Sequence, residues 1–416
     1  MVHGSVDHTA NDLILANPST TTPQWGSSAL SKNPQHPSKT IAGSIAHQNH
    51  DMTPNLRVLL VGNGGREHAI AWKLLQSTLI EHIYVVPGNG GTANLEKVTN
   101  VDTIQQEDFP SLVKFAKEKD VNLVVPGPEA PLVAGIVDYF DKHADIRCFG
   151  PSEAAARMEG SKTFSKDFMK RHNIPTAAYE NFSEYESAKK YLDSINHNVV
   201  LKASGLAAGK GVIIPQSKEE AQVALKEIML DKEFGAAGDE IVIEEFLEGD
   251  ELSILTFSDG TTIKSLPPAQ DHKRIGDGDT GPNTGGMGTY APTRIAPQEV
   301  IDAVHRDILQ PTIDGMREES FTFKGVLFTG LMMTKSGAKT LEYNVRFGDP
   351  ETQSLLALME SDLAQVMIAC AEGRLKDVDV KVGGKSAATV VVAAGGYPGS
   401  YSKGTVMTLD AVPEGK

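Results

Sequence analysis

From Leu56 onward, the chain alternates short apolar runs with helical patterns, and this alternation limits the possible folds more than any other feature. Val58 to Val61, Ile83 to Val86 and Leu123 to Val125 have the length and composition of buried strands. Strands that alternate with helices along a chain pair in parallel and are covered by helices. The sequence therefore predicts an amino-terminal α/β domain over residues 56–158, built on a doubly wound parallel sheet.

The first 55 residues have a different composition. They are rich in Ser, Thr, Asn, His and Pro, contain Lys32 and Lys39 as their only cations, and show no apolar periodicity. Such a segment cannot bury enough apolar surface to offset the entropy lost on ordering. We therefore predict a disordered extension over residues 1–55. Organelle targeting is a second interpretation, although transit peptides are typically rich in Arg and this stretch contains none.

Charge and cysteine content exclude several classes of protein. The 416-residue chain has 39 basic and 54 acidic residues, a formal net charge of −15, which disfavours nucleic acid or an anionic membrane as a partner. No apolar run approaches the ~18 residues of a membrane span. Cys148 and Cys370 are far apart, which excludes a disulfide scaffold and a cysteine zinc site. These features predict a cytoplasmic location.

A glycine-rich loop, GNGGREH, follows the first predicted strand and leads into a helix. It is similar to the dinucleotide fingerprint of dehydrogenases, but its glycine order differs, and Pro87-Gly88 stands where a ribose-binding acid is expected. A glycine turn at a helix N-terminus can bind an anion, and a tight turn without a ligand is the alternative. A second loop, GPEAPL, follows a later strand. Both loops are predicted at the carboxyl ends of strands, where ligands usually bind.

The stretch VVLKASGLAAGKGVII, residues 199–214, has the pattern of a hairpin with a glycine-rich tip. It lacks the GxxxxGK[ST] of a P-loop. A small-residue loop can still fold over phosphates and donate N–H groups, while Lys202 neutralises charge. A hairpin tip without a ligand is the alternative.

Two further segments suggest a nucleotide and a metal. In IVIEEFLEGDELSI, residues 241–254, backbone groups at a strand end could bind adenine, and a carboxylate could bind ribose. The alternative is that these acidic residues are solvated, as is usual at a turn. In KTLEYNVRFGDPETQ, residues 339–353, Glu342 and Asn344 alternate with apolar residues and so project from one face of a strand. Two oxygen ligands at that spacing suit Mg²⁺, and a hairpin with a solvated polar face is the alternative.

Between these segments, residues 269–292 are rich in Gly, Asp and Asn and are predicted to form a long loop that closes over a substrate. His272 is a candidate general base there, although a solvated loop histidine is the usual case. No arrangement of Ser, Cys or His in the sequence indicates nucleophilic catalysis.

Taken together, these segments resemble the phosphoribosylamine–glycine ligase family (glycinamide ribonucleotide synthetases) of the ATP-grasp superfamily, from about Leu56 to the last residue. The resemblance rests on eight strings in a shared order: LLVGNGGREHAIAWK, GPEAPLV, GSKTFSKDFM, LKASGLAAGKGV, IVIEEFLEGDE, PAQDHKR, GPNTGGMG and EYNVRFGDPETQ.

The resemblance implies an ATP-dependent ligation in de novo purine (IMP) biosynthesis. Glycine and 5-phosphoribosylamine would give glycinamide ribonucleotide, ADP and phosphate through a glycyl phosphate intermediate. ATP would be the co-substrate, Mg²⁺ or Mn²⁺ the metal, and no protein partner is implied. The implied fold is multidomain and combines α/β with α+β architecture. An ATP-grasp domain over residues 159–351 would follow the amino-terminal domain and would include a lid subdomain at about 178–248. Members of the family carry a fuller carboxyl-terminal domain, so residues 352–416 are expected to be a linker and an incomplete, truncated carboxyl-terminal domain with an exposed apolar sheet edge.

The resemblance also assigns roles to individual positions. The expected nucleotide contacts are Lys162, Lys202, Gly205, Gly209, Lys210, Gly211, Glu244, Glu245, Phe246, Leu247 and Glu251. The expected phosphoribosylamine and glycine contacts are Asn63, Gly64, Arg66, Glu129, Asp271, Lys273, Arg346 and Asp349. Lys202 and Arg346 are the candidate catalytic residues.

Glu342 and Asn344 are the expected metal ligands. Many relatives in the superfamily have a further carboxylate about a dozen residues earlier, but FTGLMM here contains no acid, so two protein ligands are expected. Another carboxylate–amine ligase with the same ATP site, and a nucleotide-binding module without turnover, are the alternative functions.

Overall fold

The computed structural model describes residues 11–14, 55–207 and 211–408. Strand β1, Asn11–Ile14, pairs antiparallel with a strand near the other end of the described chain. The rest of the predicted extension, residues 1–10 and 15–54, lies outside the described residues, as do Gly209 and Lys210. The sequence analysis predicted no strand before residue 56. Backbone pairing with a strand from a distant part of the chain, which local composition does not reveal, places β1 in a sheet.

The predicted doubly wound parallel sheet is confirmed. Its five strands are all parallel, in the order β4-β3-β2-β5-β6. The central strand carries the buried run Val58 to Val61, as a strand covered on both faces requires. The order reverses between β2 and β5, so the loops that follow these two strands border the same crevice. The elements are β2 Leu56–Gly62, α1 Gly65–Leu74, β3 Ile80–Pro87, β4 Val98–Asn100, α2 Phe109–Glu118, β5 Leu123–Pro126, α3 Glu129–Val133, α4 Ile136–His143 and β6 Arg147–Cys148.

The next part of the chain forms a small antiparallel sheet with a core of its own. The strand order is β7-β10-β8-β9, and two helices cover the sheet. Leu201, Leu225, Ile228 and Ile241 are fully buried in this core, which is separate from the larger cores of the molecule. The structure has the predicted hairpin as β8 and β9. The elements are α5 Glu153–Gly160, α6 Lys162–Arg171, β7 Tyr179–Phe182, α7 Tyr185–Ser194, β8 Val199–Ala203, β9 Val212–Ile213, α8 Lys218–Met229 and β10 Ile241–Glu245.

A second antiparallel sheet, in the order β12-β11-β17-β18, faces the small one across a cleft. A π-helical turn at His305–Leu309 connects two α-helices beside it. The elements are β11 Asp250–Asp259, β12 Ile263–Ser265, β13 Gln270–Asp271, β14 Arg274–Gly276, β15 Thr280–Asn283, β16 Gly288–Ala291, α9 Gln298–Val304, α10 Gln310–Glu318, β17 Lys324–Thr334 and β18 Gly337–Asn344.

The prediction of one long loop over residues 269–292 is wrong, because the structure places four short strands there. β14 and β15 form a hairpin, while β13 pairs with β16. These strands have no apolar alternation, and all four residues of Thr280–Asn283 are exposed. Backbone pairing defines these strands, and their side chains show no strand pattern. The sequence therefore did not predict them.

The predicted linker and truncated carboxyl-terminal domain, residues 352–416, is described as far as residue 408. It contains most of α11, Glu351–Leu358, then α12, Leu363–Glu372, and β19, Ala387–Val391, which lies between β1 and β16 in a four-stranded sheet. Helix α11 packs against α1 of the amino-terminal sheet domain. Val390 and Val392 are each more than half exposed. Within the described ranges, no helix is both long enough and apolar enough to cross a membrane.

Candidate active site

A cleft of about 460 Å³ is lined by residues from the amino-terminal sheet domain and from both antiparallel sheets. Helix α6 and strands β8 and β10 contribute on the side of the small sheet, and β17 and β18 on the side of the second sheet. The loops that follow β2 and β5 lead into it through the first residues of α1 and α3. Such a cleft between subdomains is a usual place for a ligand site.

Two lysines that the sequence assigned to phosphates lie in this cleft. Lys162 is the first residue of α6, whose N-cap is Ser161, and its Nζ donates to the Gly205 carbonyl at 3.3 Å. Burial lowers the pKa of Lys162, and Glu342 opposes that shift. Lys202, on β8, donates from Nζ to the Leu341 carbonyl at 3.1 Å. Both cations line the same cleft, and the charge of Lys202 helps to lower the pKa of Lys162. Together they can therefore contact one polyphosphate.

Glu244 is bound by two lysines, one of which the sequence analysis missed. Its carboxylate is 2.9 Å from the Nζ of Lys202 and 2.9 Å from the Nζ of Lys166. Glu244 was expected to contact adenine through backbone groups, but its side chain is buried in this ion-pair network. Lys166 follows Lys162 by one helical turn on α6, and that spacing was the available signal.

The other predicted adenine and ribose residues also line the cleft. Glu245 accepts a hydrogen bond from the Ala178 N–H at 3.0 Å and pairs with Lys339 at 3.0 Å. Leu247 is buried and the ring of Phe246 is partly exposed at the cleft. The backbone from residue 244 to 247 therefore follows the cleft wall.

Glu342 and Asn344 project into the cleft from β18, as their alternation predicted. Among the described residues, no cation lies within 4.0 Å of the Glu342 carboxylate. Burial alone would raise its pKa, but Lys273, Lys202 and Lys162 hold the pKa of Glu342 below its ordinary value. An ionised carboxylate without a direct ion pair, next to an amide oxygen, is a donor set that suits Mg²⁺ or Mn²⁺. Elsewhere in residues 55–207 and 211–408, no group of three or more His, Cys, Asp or Glu side chains could hold a metal.

Arg346 lies at a part of the cleft that is rich in carboxylates. Its guanidinium is 3.0 Å from Glu159 and 3.4 Å from Glu129, and it also donates to the Asn344 amide oxygen at 3.1 Å. Burial raises the pKa of Glu159, which the sequence analysis did not identify, although Arg346 opposes the shift. Glu159 also accepts the Val345 N–H at 2.7 Å from a position 186 residues away in the chain. The orientation of Arg346 is therefore fixed by three partners, of which Glu159 is buried.

Arg66 joins the amino-terminal domain to the segment that follows β18. Its N–H donates to Asp349 at 3.3 Å and its side chain donates to the Phe347 carbonyl at 3.2 Å. Glu67, almost fully buried, accepts from the Arg66 Nε at 2.6 Å and from the Gly64 N–H at 2.6 Å.

The loop after β5 approaches the same Glu67 carboxylate. A Cβ at Gly127 would lie 1.9 Å from Glu67 Oε1, so glycine is required there. The loop after β5 therefore packs closely against the carboxylate that accepts the Gly64 N–H of the loop after β2.

A third group of charges contains Asp271, Lys273 and Glu351. The Lys273 Nζ lies 3.8 Å from Glu251. Burial and the charge of Glu351 raise the pKa of Asp271 to about 8, and Lys273 opposes the shift. Glu351 was not predicted, although its position in the string GDPETQ was the available signal. His272, the candidate general base, is exposed and does not line the cleft.

The structure thus brings most of the predicted site residues into one cleft. Those that line it are Arg66, Glu129, Lys162, Lys202, Gly211, Glu244, Glu245, Phe246, Leu247, Glu251, Asp271, Lys273, Glu342, Asn344, Arg346 and Asp349. Asn63, Gly64 and Gly205 are close in sequence to lining residues but are not themselves in the lining.

Two family models match the chain. The N domain of phosphoribosylglycinamide synthetase matches residues 56–159, and the ATP-grasp (A) domain of phosphoribosylglycinamide synthetase matches residues 160–352. The chain is 61% identical over 359 residues to the bifunctional purine biosynthetic protein ADE1 of Schizosaccharomyces pombe, covering 86% of this chain and 45% of that protein. It therefore spans about half the length of that relative.

Shorter relatives are covered over most of their length. The chain is 49% identical over 354 residues to the phosphoribosylamine–glycine ligase of Vibrio cholerae, covering 85% of this chain and 82% of that protein. The crystal structure of phosphoribosylamine–glycine ligase from Thermotoga maritima superposes with a TM-score of 0.72 at 33% identity, covering 83% of each chain. The chain belongs to the phosphoribosylamine–glycine ligase family and has the ATP-grasp fold.

Proposed function

We propose that this chain joins glycine to 5-phosphoribosylamine with ATP, giving glycinamide ribonucleotide, ADP and phosphate in de novo purine biosynthesis. One observation carries the proposal. A single cleft contains two lysines suited to a polyphosphate, a carboxylate without a direct ion pair to any described residue, and two arginines held by buried carboxylates. Family membership supports the same substrates.

In the first step, a carboxylate oxygen of glycine attacks the γ-phosphorus of ATP. The bond from that phosphorus to the bridging oxygen breaks, so ADP leaves and glycyl phosphate forms. This step needs positioning and charge neutralisation, not a protein nucleophile. Lys162 and Lys202 would supply positive charge, and Mg²⁺ or Mn²⁺, held by Glu342 and Asn344, would neutralise further phosphate charge.

In the second step, the amine nitrogen of phosphoribosylamine attacks the carbonyl carbon of glycyl phosphate. The bond from carbon to the phosphate oxygen breaks, phosphate leaves, and the nitrogen releases a proton as the amide forms. Arg66 and Arg346 are suited to bind the anionic groups of this substrate, since a planar guanidinium binds two oxygens at once. Asn63, Gly64, Glu129, Asp271, Lys273 and Asp349 remain our candidates for the rest of this pocket.

The nucleotide would occupy the side of the cleft formed by the small sheet. We assign adenine to the backbone of residues 244–247, ribose to Glu251, and phosphates to the loop from Gly205 to Gly211. The separate core of the small sheet supports its assignment as a lid subdomain, about 178–248. The boundaries 56–158, 159–351 and 352–416 are likewise proposals, and a cytoplasmic location stays a prediction from the sequence.

The test is ADP release by the purified 416-residue chain with Mg-ATP and glycine, with and without freshly generated phosphoribosylamine. We expect release that requires both substrates. Release with a different acid or amine would indicate another ATP-grasp ligase. Binding of ATP by a folded chain without substrate-dependent ADP release would indicate a nucleotide-binding module, and the catalytic proposal would fail.

A further inference from the structure

One buried carboxylate in the cleft is shared by lysines from two different parts of the fold. Glu244, at the end of β10, leaves 2% of its surface exposed. Its Oε1 is 2.9 Å from Lys202 on β8, and its Oε2 is 2.9 Å from Lys166 on α6. Three buried charges thus form one group, with two cations for one anion.

Lys166 has no assigned role and is held in place at its ammonium group. Its side chain is 3% exposed. Besides the pair with Glu244, its Nζ donates to the Thr176 hydroxyl at 2.6 Å, and this hydroxyl donates to the Thr340 carbonyl at 2.6 Å. Lys166 is therefore a fixed partner of Glu244.

Lys202, the other partner of Glu244, is also a candidate phosphate ligand. Lys202 precedes the glycine-rich hairpin tip and lines the cleft where phosphates are proposed to bind. If Lys202 turns to a phosphate, Glu244 loses one of its two cations. A buried carboxylate left without a partner is strongly destabilising, so that movement is favourable only when another cation stays with Glu244.

We propose that Lys166 is a positioning residue that keeps Glu244 neutralised, so that Lys202 can transfer its ion pair from Glu244 to the nucleotide phosphates. This inference rests on the proposed ATP site. Helix α6 would then have two roles at the phosphates. Lys162 would bind them directly, and Lys166 would free Lys202 to bind them.

The electrostatic surroundings of Lys166 agree with this role. Burial lowers the pKa of Lys166 to about 8, although Glu244 opposes the shift. At neutral pH the ammonium form therefore prevails, and a charged partner for Glu244 is present when the nucleotide binds.

The test is a series of ligands that differ in phosphate number. Dissociation constants of the full chain for ATP, ADP, AMP and adenosine are measured for the wild type and for Lys166→Met. We expect ATP and ADP to bind about 10-fold more weakly or worse, the size of a lost hydrogen bond to a charged group, while adenosine changes much less. Equal weakening of all four ligands would show a structural role only and would overturn the proposal.

The matched control lies one turn further along α6. Lys170 is exposed, so Lys170→Met should leave all four dissociation constants unchanged. Lys166→Arg, which keeps the charge, should restore most of the ATP affinity. Lys166→Gln, which keeps polar contacts without charge, should behave like Lys166→Met and replaces it if that variant does not fold.

A double-mutant cycle with Glu244→Gln tests the coupling directly. Without the carboxylate, Lys202 needs no release, so Lys166→Met should cost much less ATP affinity in the Glu244→Gln background. The same loss in both backgrounds would overturn the proposal. A wild type that binds no ATP would instead defeat the proposed function itself, whereas wild-type binding with an unaffected Lys166→Met variant would defeat this inference alone.

Discussion

The two halves of the cleft organise their charges differently. On the side assigned to the nucleotide, Glu342 has no direct ion pair among the described residues, and two lysines share Glu244. On the side assigned to the second substrate, each arginine is held by a carboxylate, Arg66 by Glu67 at 2.6 Å and Arg346 by Glu159 at 3.0 Å. The first arrangement leaves charge available to a ligand. The second fixes the direction of each guanidinium before a ligand arrives.

This difference separates catalysis from stability. A residue without a direct partner can be removed from the nucleotide side with little loss of folding free energy. Removal of an arginine from the other side leaves a buried carboxylate unpaired, which destabilises the fold as well as the site. Each of the following variants tests one side of this contrast.

The largest effect is expected for Glu342→Ala. Turnover should fall by about 100-fold or more, because removing a preorganised charge from a phosphoryl-transfer site costs at least that much. The melting temperature should stay close to that of the wild type. ADP release at saturating and limiting Mg²⁺ and a thermal unfolding curve check both parts. Wild-type ADP release by this variant at limiting Mg²⁺ would remove the metal assignment.

The second variant, Arg346→Met, should lower both activity and stability. Glu159 would be left buried without its cation, so the free energy of unfolding should fall by about 3 kcal/mol. Urea unfolding measures this loss. The control is Arg306→Met, since Arg306 pairs with Asp307 at the surface and should contribute less than about 1 kcal/mol.

A further substitution identifies the cause of that loss. Adding Glu159→Gln to Arg346→Met removes the unpaired charge and should recover part of the stability but none of the activity. If the single and double variants unfold alike, the buried ion pair is not what stabilises this side of the cleft.

The sequence indicated cleft residues on both sides, but only where a local pattern reports how a side chain projects. Lys202, Glu244 and Glu342 lie in strings whose strand period or glycine content shows where side chains project. Glu159, by contrast, contacts Val345 across 186 residues of chain, and no local pattern reports such a contact.

The same reason explains the missed strands. β13 to β16 and β1 are defined by backbone pairing with distant partners, whereas the parallel sheet from Leu56 is defined by its own apolar runs. Sequence patterns reveal which face of an element is buried, but not which distant element covers it.

A smaller effect is expected for Glu67→Gln. The amide has one acceptor oxygen, whereas the Gly64 N–H and the Arg66 Nε bind different oxygens of the carboxylate, and the amide carries no negative charge for the guanidinium. We expect the KM for phosphoribosylamine to rise about 10-fold, since hydrogen bonds to charged groups are lost, while the KM for ATP stays nearly constant. Steady-state kinetics with each substrate varied in turn measures the two constants.

The control for this variant is Glu81→Gln, which removes a partly exposed carboxylate that pairs with Arg57 and is not part of the cleft lining. It should leave both constants unchanged. An equal rise of both KM values in Glu67→Gln would mean that Glu67 supports the whole cleft and not one substrate.

The smallest expected effect is a pH dependence of nucleotide binding. Lys166 faces Glu244, Lys202 and Glu342, and burial lowers its pKa to about 8. As the pH rises through about 8, Lys166 loses its proton and Glu244 then requires Lys202, so ATP binding should weaken by a few-fold, up to about 10-fold, between pH 7 and pH 9. Binding below pH 7 should be independent of this group, because Lys166 is then already charged.

Other groups near the cleft can be separated from Lys166 by comparing variants. Burial raises the pKa of Tyr179, whose ring lies 5.8 Å from the Lys166 Nζ, so it stays neutral through this range. Burial lowers the pKa of Lys162, so that residue can add a titration of its own. Lys166→Met should therefore remove the part of the pH dependence that belongs to Lys166 and leave the part that belongs to Lys162. Isothermal titration with ATP from pH 7 to pH 9 measures both parts. If the dissociation constant depends on pH identically in wild type and variant, Lys202 is not held by Glu244 when Lys166 is neutral.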